Sequence, residues 1–362
     1  MLNVHRLLAS LLFAAGGCLL LPPIVVESAE ETFEFQKLAD GVYASIRKEP
    51  VGLGVDANNL FVIDDDGVVV VDTNFGPSST RQVLAALRRI TEAPVKYVIN
   101  THAHDDHVLG NAVYRQAFPK AQVIGHAFLT EYLPGKGATH RQNQVRNLPG
   151  FAGALRETLV KNANLAGQPI TDEERAGYGS DLRMIESYLA DAPAFADVLP
   201  TTTVTDRLTL KRGSRTVEIL HLGRGHTAGD LVVHLPQDGI VATGDLVVFP
   251  IPLVGGDQSY VAEWSSTLES VIALNPKIIV PGHGPVMRDT AYPRLMADLF
   301  TSITKQVTAA SGAGQSLEQV RTSVNLDEFR EKFAGDSQLK KFLFANYVSG
   351  PAVMSAFRAA RR

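Results

Sequence analysis

Between His102 and His107 the chain reads HAHDDH, so three imidazoles and two carboxylates crowd into six positions. Imidazole nitrogen and carboxylate oxygen are the donors that suit zinc and its first-row neighbours. Three histidines this close cannot share one face of a helix or strand, but in a tight loop they can converge. Asp106, beside His107, adds a hard oxygen donor. The plain alternative is a polar surface loop with incidental histidines. It fits poorly with a loop that follows the apolar run VKYVIN and leads into a helix-like segment.

Three distant spots repeat the theme, each placed where an apolar strand-like run ends. EILHLG leads to GRGHTAGD and His226, GIVATG to Asp245, and KIIV to PGHGP and His283. Strand ends on one edge of a sheet are neighbours in space, and the flanking glycines allow sharp turns there. Together these positions offer five histidines and two aspartates, enough for two metal ions. One site could take His102, His104 and His226, the other Asp106, His107 and His283, with Asp245 bridging both. Two adjacent cations lower the pKa of a shared water enough to give hydroxide near neutral pH, a nucleophile that requires no serine triad or cysteine. His126, His140, His221 and His234 fall outside this pattern and read as structural. Of these, His126 stands nearest to the same edge.

The elements that must position these groups follow from periodicity. Strand-like runs lie at 42–46, 58–63 and 67–73, with a DDD-Gly hairpin turn between the last two. Val83, Leu84, Leu87 and Ile90 fall at helical spacing, so 78–90 reads as a helix that Ser78 or Ser79 can cap. Strands at 96–100 and 121–125 flank the metal-type loop and a helix starting near Asn111. From about 134 to 197 no alternating pattern appears, and the segment reads as a helical insertion. Strand logic resumes in TVTDRLTL, TVEILHLG, DLVVHLP, GIVATGDLVV and KIIVPG, followed by one more helix at 267–276 and a helical tail at 291–362.

THAHDDH resembles the H-x-H-x-D-H signature of the metallo-β-lactamase superfamily, and GHTAGD, TGD and PGHG resemble its later ligand motifs in the same order. NNLFVIDDDGVVVVDTNFG is similar to that family's opening hairpin, ending at Asp72. The resemblance runs from about Val42 to Val286. It implies an α/β fold, an αββα sandwich with two zinc ions on one edge between the sheets, and a small-molecule substrate. All seven ligand positions of the binuclear hydrolase form are filled. Asp106 would orient the attacking water or accept its proton. Asp72 would orient a metal-loop group through hydrogen bonds, or else merely cap a turn. Asp105 reads as a solvated loop residue.

Fold and metals do not choose among the family's reactions. Metallo-β-lactamases of the first two subclasses carry cysteine where this chain has Asp245, and a lysine nearby where it has Leu246, Val247 and Val248. A bridging aspartate is typical of thioesterases and lactonases instead. The expectation is therefore attack by a metal-bridging hydroxide on a β-lactam, lactone, ester or thioester. The alternatives are a thioesterase or lactonase rather than a β-lactamase, or a phosphodiesterase, ahead of an iron oxygenase or a non-catalytic metal-binding protein. Tyr132, Phe151, Tyr178 and Tyr188 would make the insertion an apolar lid over the metals.

The first residues carry a weakly basic start, an apolar run from Leu7 to Val26 and small residues at Ser28 and Ala29, the layout of a secretory signal peptide. The expected organisation is a signal peptide at 1–28, a catalytic domain at 29–290 and a helical extension at 291–362. That predicts a periplasmic or secreted protein with no stable membrane association after cleavage. An uncleaved anchor and a lipoprotein modified at Cys18 are the alternatives. Cys18 is the only cysteine, so export brings no disulfides and the mature chain has no thiolate ligand. A formal net charge of −4 without a long basic run gives no footprint for nucleic acid.

Overall fold

The computed structural model describes residues 32–48, 50–255 and 258–361. The expected signal peptide lies outside the described residues. Among these, no helix is long and apolar enough to cross a membrane.

Seven strands form the first sheet in sequential order: β1 (Phe33–Ala39), β2 (Val42–Arg47), β3 (Asn59–Asp64), β4 (Gly67–Val71), β5 (Val95–Ile99), β6 (Gln122–His126) and β7 (Thr202–Val204). The first four pair antiparallel and the last four parallel. The second sheet runs β12-β11-β10-β9-β8, built from β8 (Arg207–Arg212), β9 (Arg215–Leu220), β10 (Val232–Leu235), β11 (Ile240–Val248) and β12 (Ile278–His283).

Alternation along β4 shows how the layers form. Val69 and Val71 enter a core shared with Val217, Ile219, Val233 and Ala242 of the other sheet. Val68 and Val70 point the opposite way, onto Val83 and Leu87 of the Pro77–Arg88 helix. A strand with both faces covered reads as a continuous apolar run, and GVVVV is one. Behind the second sheet, Val232, Val241 and Val247 pack on the helices Val261–Ala273, Ala291–Gly312 and Gly350–Ala360. The result is the expected helix–sheet–sheet–helix sandwich, with the helical C-terminal region in its outer layer. Trp264 of one such helix stacks on Phe300 of another at 4.6 Å.

Residues 138–191 are chiefly two helices, Ala138–Lys161 and Asp172–Asp191, the second opened by a capping box of Thr171 and Glu174. Two local expectations are corrected. The helix expected at 267 begins at Val261. The helix expected at 78 begins at Pro77 and takes no side-chain cap from its own first turn. Asp191, from the end of the second insertion helix, does that work instead. Its carboxylate accepts from Ser78 N at 2.7 Å and from Ser78 Oγ at 2.6 Å.

Candidate metal centre

The metal-type loop is fixed from behind. At the end of β4, Asp72 adopts φ 60, a left-handed conformation that aspartate rarely takes. Its carboxylate accepts from Thr101 N, Thr101 Oγ1 and His107 Nδ1, each at 2.8 Å. The Asn100 side chain donates to His107 O at 2.9 Å. After Thr101 the chain turns into a single helical turn, Asp105–Val108, so His107 stands on a helix rather than in an open loop.

The remaining groups arrive from the second sheet. The turn carrying His226 is closed by Asp230, whose carboxylate accepts from Gly225 N, Thr227 N and Thr227 Oγ1. Burial pushes the Asp230 carboxyl up to about 7 despite those bonds. Asp245 does not follow a strand, as its sequence position suggested. It lies within β11, inside the register irregularity between Gly244 and Val248 in the pairing with β12. Gly244 has φ +50, and a Cβ on Gly282 would stand 2.0 Å from Asp245 Oδ1. Both positions are therefore closed to larger residues. His283 is the last residue of β12.

All seven predicted ligands converge. His102, His104, His226 and Asp245 form one group and Asp106, His107 and His283 another, with the donor atoms of each group within 4.8 Å of one another. His104 Nδ1 stands 2.8 Å from His226 Nε2 and 3.1 Å from His102 Nε2. Asp245 divides its oxygens: Oδ1 lies 3.2 Å from His107 and 3.1 Å from His283, Oδ2 3.4 Å from His226 and 3.9 Å from His102.

The outward ring nitrogen of each histidine is already taken. His107 donates to Asp72, His102 to Thr101 Oγ1, His226 to Leu253 O, His283 to Asp56 O and His104 to Gln258 Oε1, all at 2.8–3.1 Å. That leaves five inward nitrogens as acceptors facing one another and two carboxylates, the arrangement outer partners impose on metal-binding imidazoles. Asp106 Oδ2 and Asp245 Oδ1 are buried without a hydrogen-bond partner.

Charge follows the same division. Burial, reinforced by His107, holds His102 well below the ordinary imidazole range, and burial brings His226 down to about 3. Burial also opposes a charged His283, but Asp245 and Asp106 raise it to about 10. Burial opposes ionised Asp106 as well, yet His107 and His283 hold it well below the usual carboxylate range. Protons here sit where a cation would, and metal binding displaces such protons. The donor set fits two divalent ions.

The structure adds residues that sequence spacing did not single out. Gln258 accepts from His104 and from Tyr132 OH at 2.6 Å. Asp56 supports His283 through its carbonyl, while its carboxylate pairs with Arg47 and accepts from Phe75 N. Only the glycine-bounded GHTAGD motif hinted at Asp230.

Two sequence expectations fail around the loop. Asp105 is not solvated: it accepts from Arg141 Nε at 3.1 Å and from Tyr188 OH at 3.0 Å, both from the insertion. Arg141 also pairs with Asp197 at 2.8 Å. Nor do the four aromatics form a lid. Tyr188 borders the cleft beside Phe75, but Tyr132 braces Gln258, and Tyr178 and Phe151 belong to the helical core. The insertion is instead a wall of a cleft of ≈ 620 Å³ that reaches His104, Asp106 and Asp245. His140, read from sequence as structural, stands on that wall. His126 and His221 stack at 4.5 Å, and His234 pairs with Glu218, all apart from the centre.

The wall loop between β2 and β3 is fastened twice. Asp181 of the insertion accepts from Leu53 N at 2.8 Å and Gly54 N at 2.9 Å. Tyr347, near the C-terminus, donates its hydroxyl to Leu53 O and accepts from Val254 N through its carbonyl.

Residues 53–283 match the family profile described as the metallo-beta-lactamase superfamily. A metallo-beta-lactamase type 2 from Bacillus cereus is 26% identical over 239 residues, covering 65% of this chain and 70% of the relative. A linear primary-alkylsulfatase from a Pseudomonas species is 24% identical over 225 residues, 60% of this chain and 40% of that protein. Among solved structures, a metallo-beta-lactamase from Pontibacter korlensis superimposes with a TM-score of 0.50 at 20% identity, covering 74% of this chain and 99% of its own.

Proposed function

Because the chain belongs to the metallo-β-lactamase superfamily of metal-dependent hydrolases, we propose that it holds two zinc ions at the residues just described and cleaves a carbonyl compound: a β-lactam, lactone, ester or thioester. The observation that carries this reading is the divided carboxylate of Asp245, one oxygen turned to His107 and His283 and the other to His226 and His102. His102, His104, His226 and Asp245 would hold one ion. Asp106, His107 and His283 would hold the other, with Asp245 shared. Bound there, the pair of cations would supply a water acidic enough to ionise near neutral pH and an electrophile for the acceptor oxygen.

The chain's own groups do the rest. Asp106, whose Oδ2 is turned to His283 at 3.1 Å, would orient a water and take its proton. Asp72 and Thr101 fix the tautomers and tilt of His107 and His102. The insertion borders the reacting centre on one side through His140, Gln144, Leu148, Met184, Ile185 and Tyr188.

Metal analysis of protein purified without added zinc tests the reading. Two equivalents of zinc per chain support it, and a single iron overturns it. A panel of chromogenic cephalosporin, acyl thioester, lactone and phosphodiester then assigns the bond. A hundredfold preference for the phosphodiester rejects carbonyl chemistry. Export belongs to the same proposal. Periplasmic protein whose N-terminus is Ala29 supports it, and full-length chain retained in membranes counts against cleavage.

A further inference from the structure

The cleft over the metal centre is unlike the centre itself. Away from His104, Asp106 and Asp245 its surface sets Leu53, Val55, Leu148, Met184, Ile185 and Leu253 beside the polar side chains of His140 and Gln144. Among the described residues, no lysine or arginine lines it. The nearest insertion cation, Arg141, is held by Asp105 and Asp197. Gly54, Val55, Met184 and Leu253 also border a second cavity of ≈ 360 Å³, which continues over Val51, Val248 and Ile251, shares His283 with the centre and, unlike the cleft, is lined by Arg47 and Lys48.

We propose that the substrate's non-reacting part is an uncharged hydrocarbon chain, laid against Leu148, Met184, Ile185 and Leu253. The proposal rests on the carbonyl-hydrolase reading and narrows it to neutral esters or lactones with an apolar chain. A carboxylate placed against these four side chains would lose its water and find no lysine or arginine in the cleft lining. A methylene placed there gains from leaving water, about fourfold in affinity at full burial.

The test uses zinc-loaded protein and p-nitrophenyl esters. From butanoate to octanoate, kcat/KM should rise about threefold per methylene, somewhat below the full-burial value. The hexanoate should exceed the adipate monoester, which ends in a carboxylate, by about thirtyfold, the cost expected for burying an unpaired charge. Leu148 is only partly buried, so Leu148→Lys should preserve folding and zinc content while collapsing the hexanoate preference to about threefold or less, by supplying the missing partner. Leu148→Met should retain it.

A flat chain-length series, or equal rates for hexanoate and adipate monoester, would overturn the proposal. If no ester is cleaved, the ester reading is overturned although the other carbonyl substrates are not, and calorimetric binding of octanamide and butanamide decides the apolar chain separately. Octanamide binding at least about tenfold tighter sustains an apolar chain site, and equal binding overturns it.

Discussion

The floor of the cleft and its wall are built by different means. The floor is a sheet edge where seven donors arrive on strand ends, a one-turn helix and a bulge, the five histidines each braced by a hydrogen bond from behind. The wall is a helical hairpin that reaches the floor through a few long side chains: Arg141 and Tyr188 on Asp105, Asp191 on Ser78 and Asp181 on Leu53. The floor tolerates little displacement, since a metal site requires donors placed to a fraction of an ångström. The wall touches the chemistry through one neighbour of a ligand, so it can change shape without unmaking the centre. That division assigns metal affinity to the floor and substrate choice to the wall.

Asp245→Ala should have the largest effect. With both oxygens of the shared carboxylate gone, kcat/KM should fall by about a thousandfold or more, and zinc should drop below two equivalents in mass spectrometry. A variant that kept both ions would break the assignment. Asp72→Asn comes next, because it removes a brace and leaves every donor in place. Zinc affinity, read by chelator competition, should weaken by about 10–100-fold.

Arg141→Met tests the wall. It releases Asp105 and Asp197 from their guanidinium, and KM should rise about tenfold, a shift of about 1.4 kcal/mol, while kcat and zinc affinity stay within about twofold. A comparable loss of zinc would show that the wall also sets the floor. Asp191→Ala should be mildest. It leaves the first amides of the Pro77–Arg88 helix without their carboxylate and should cost about 1 kcal/mol in urea unfolding, with unchanged kinetics.

The two regions also differed in how far the sequence revealed them. His102, His104, His107, His226 and His283 were legible because each interrupts apolar patterning beside a turn, and strand ends on one edge must meet. Asp245 was legible as a candidate and GIVATGDLVV as a strand, but the break in its pairing with β12 beside that residue was not. Asp105 was misread because its partner lies 36 residues away, in a segment with no strand periodicity to place it. Gln258 and Asp56 were invisible for a related reason. Each acts through one hydrogen bond to a distant histidine, and no local spacing encodes such a pairing. The Ser78 cap failed in the same way, when a carboxylate 113 residues downstream took the place of a local hydroxyl.

The fastening of Leu53 and Val254 by Tyr347 joins two ends of the molecule, since Leu53 and Tyr347 lie 294 residues apart in sequence. The last turns of the chain thus complete a wall that its first strands begin. A change near the C-terminus would be felt at the cleft although it touches none of the seven donors.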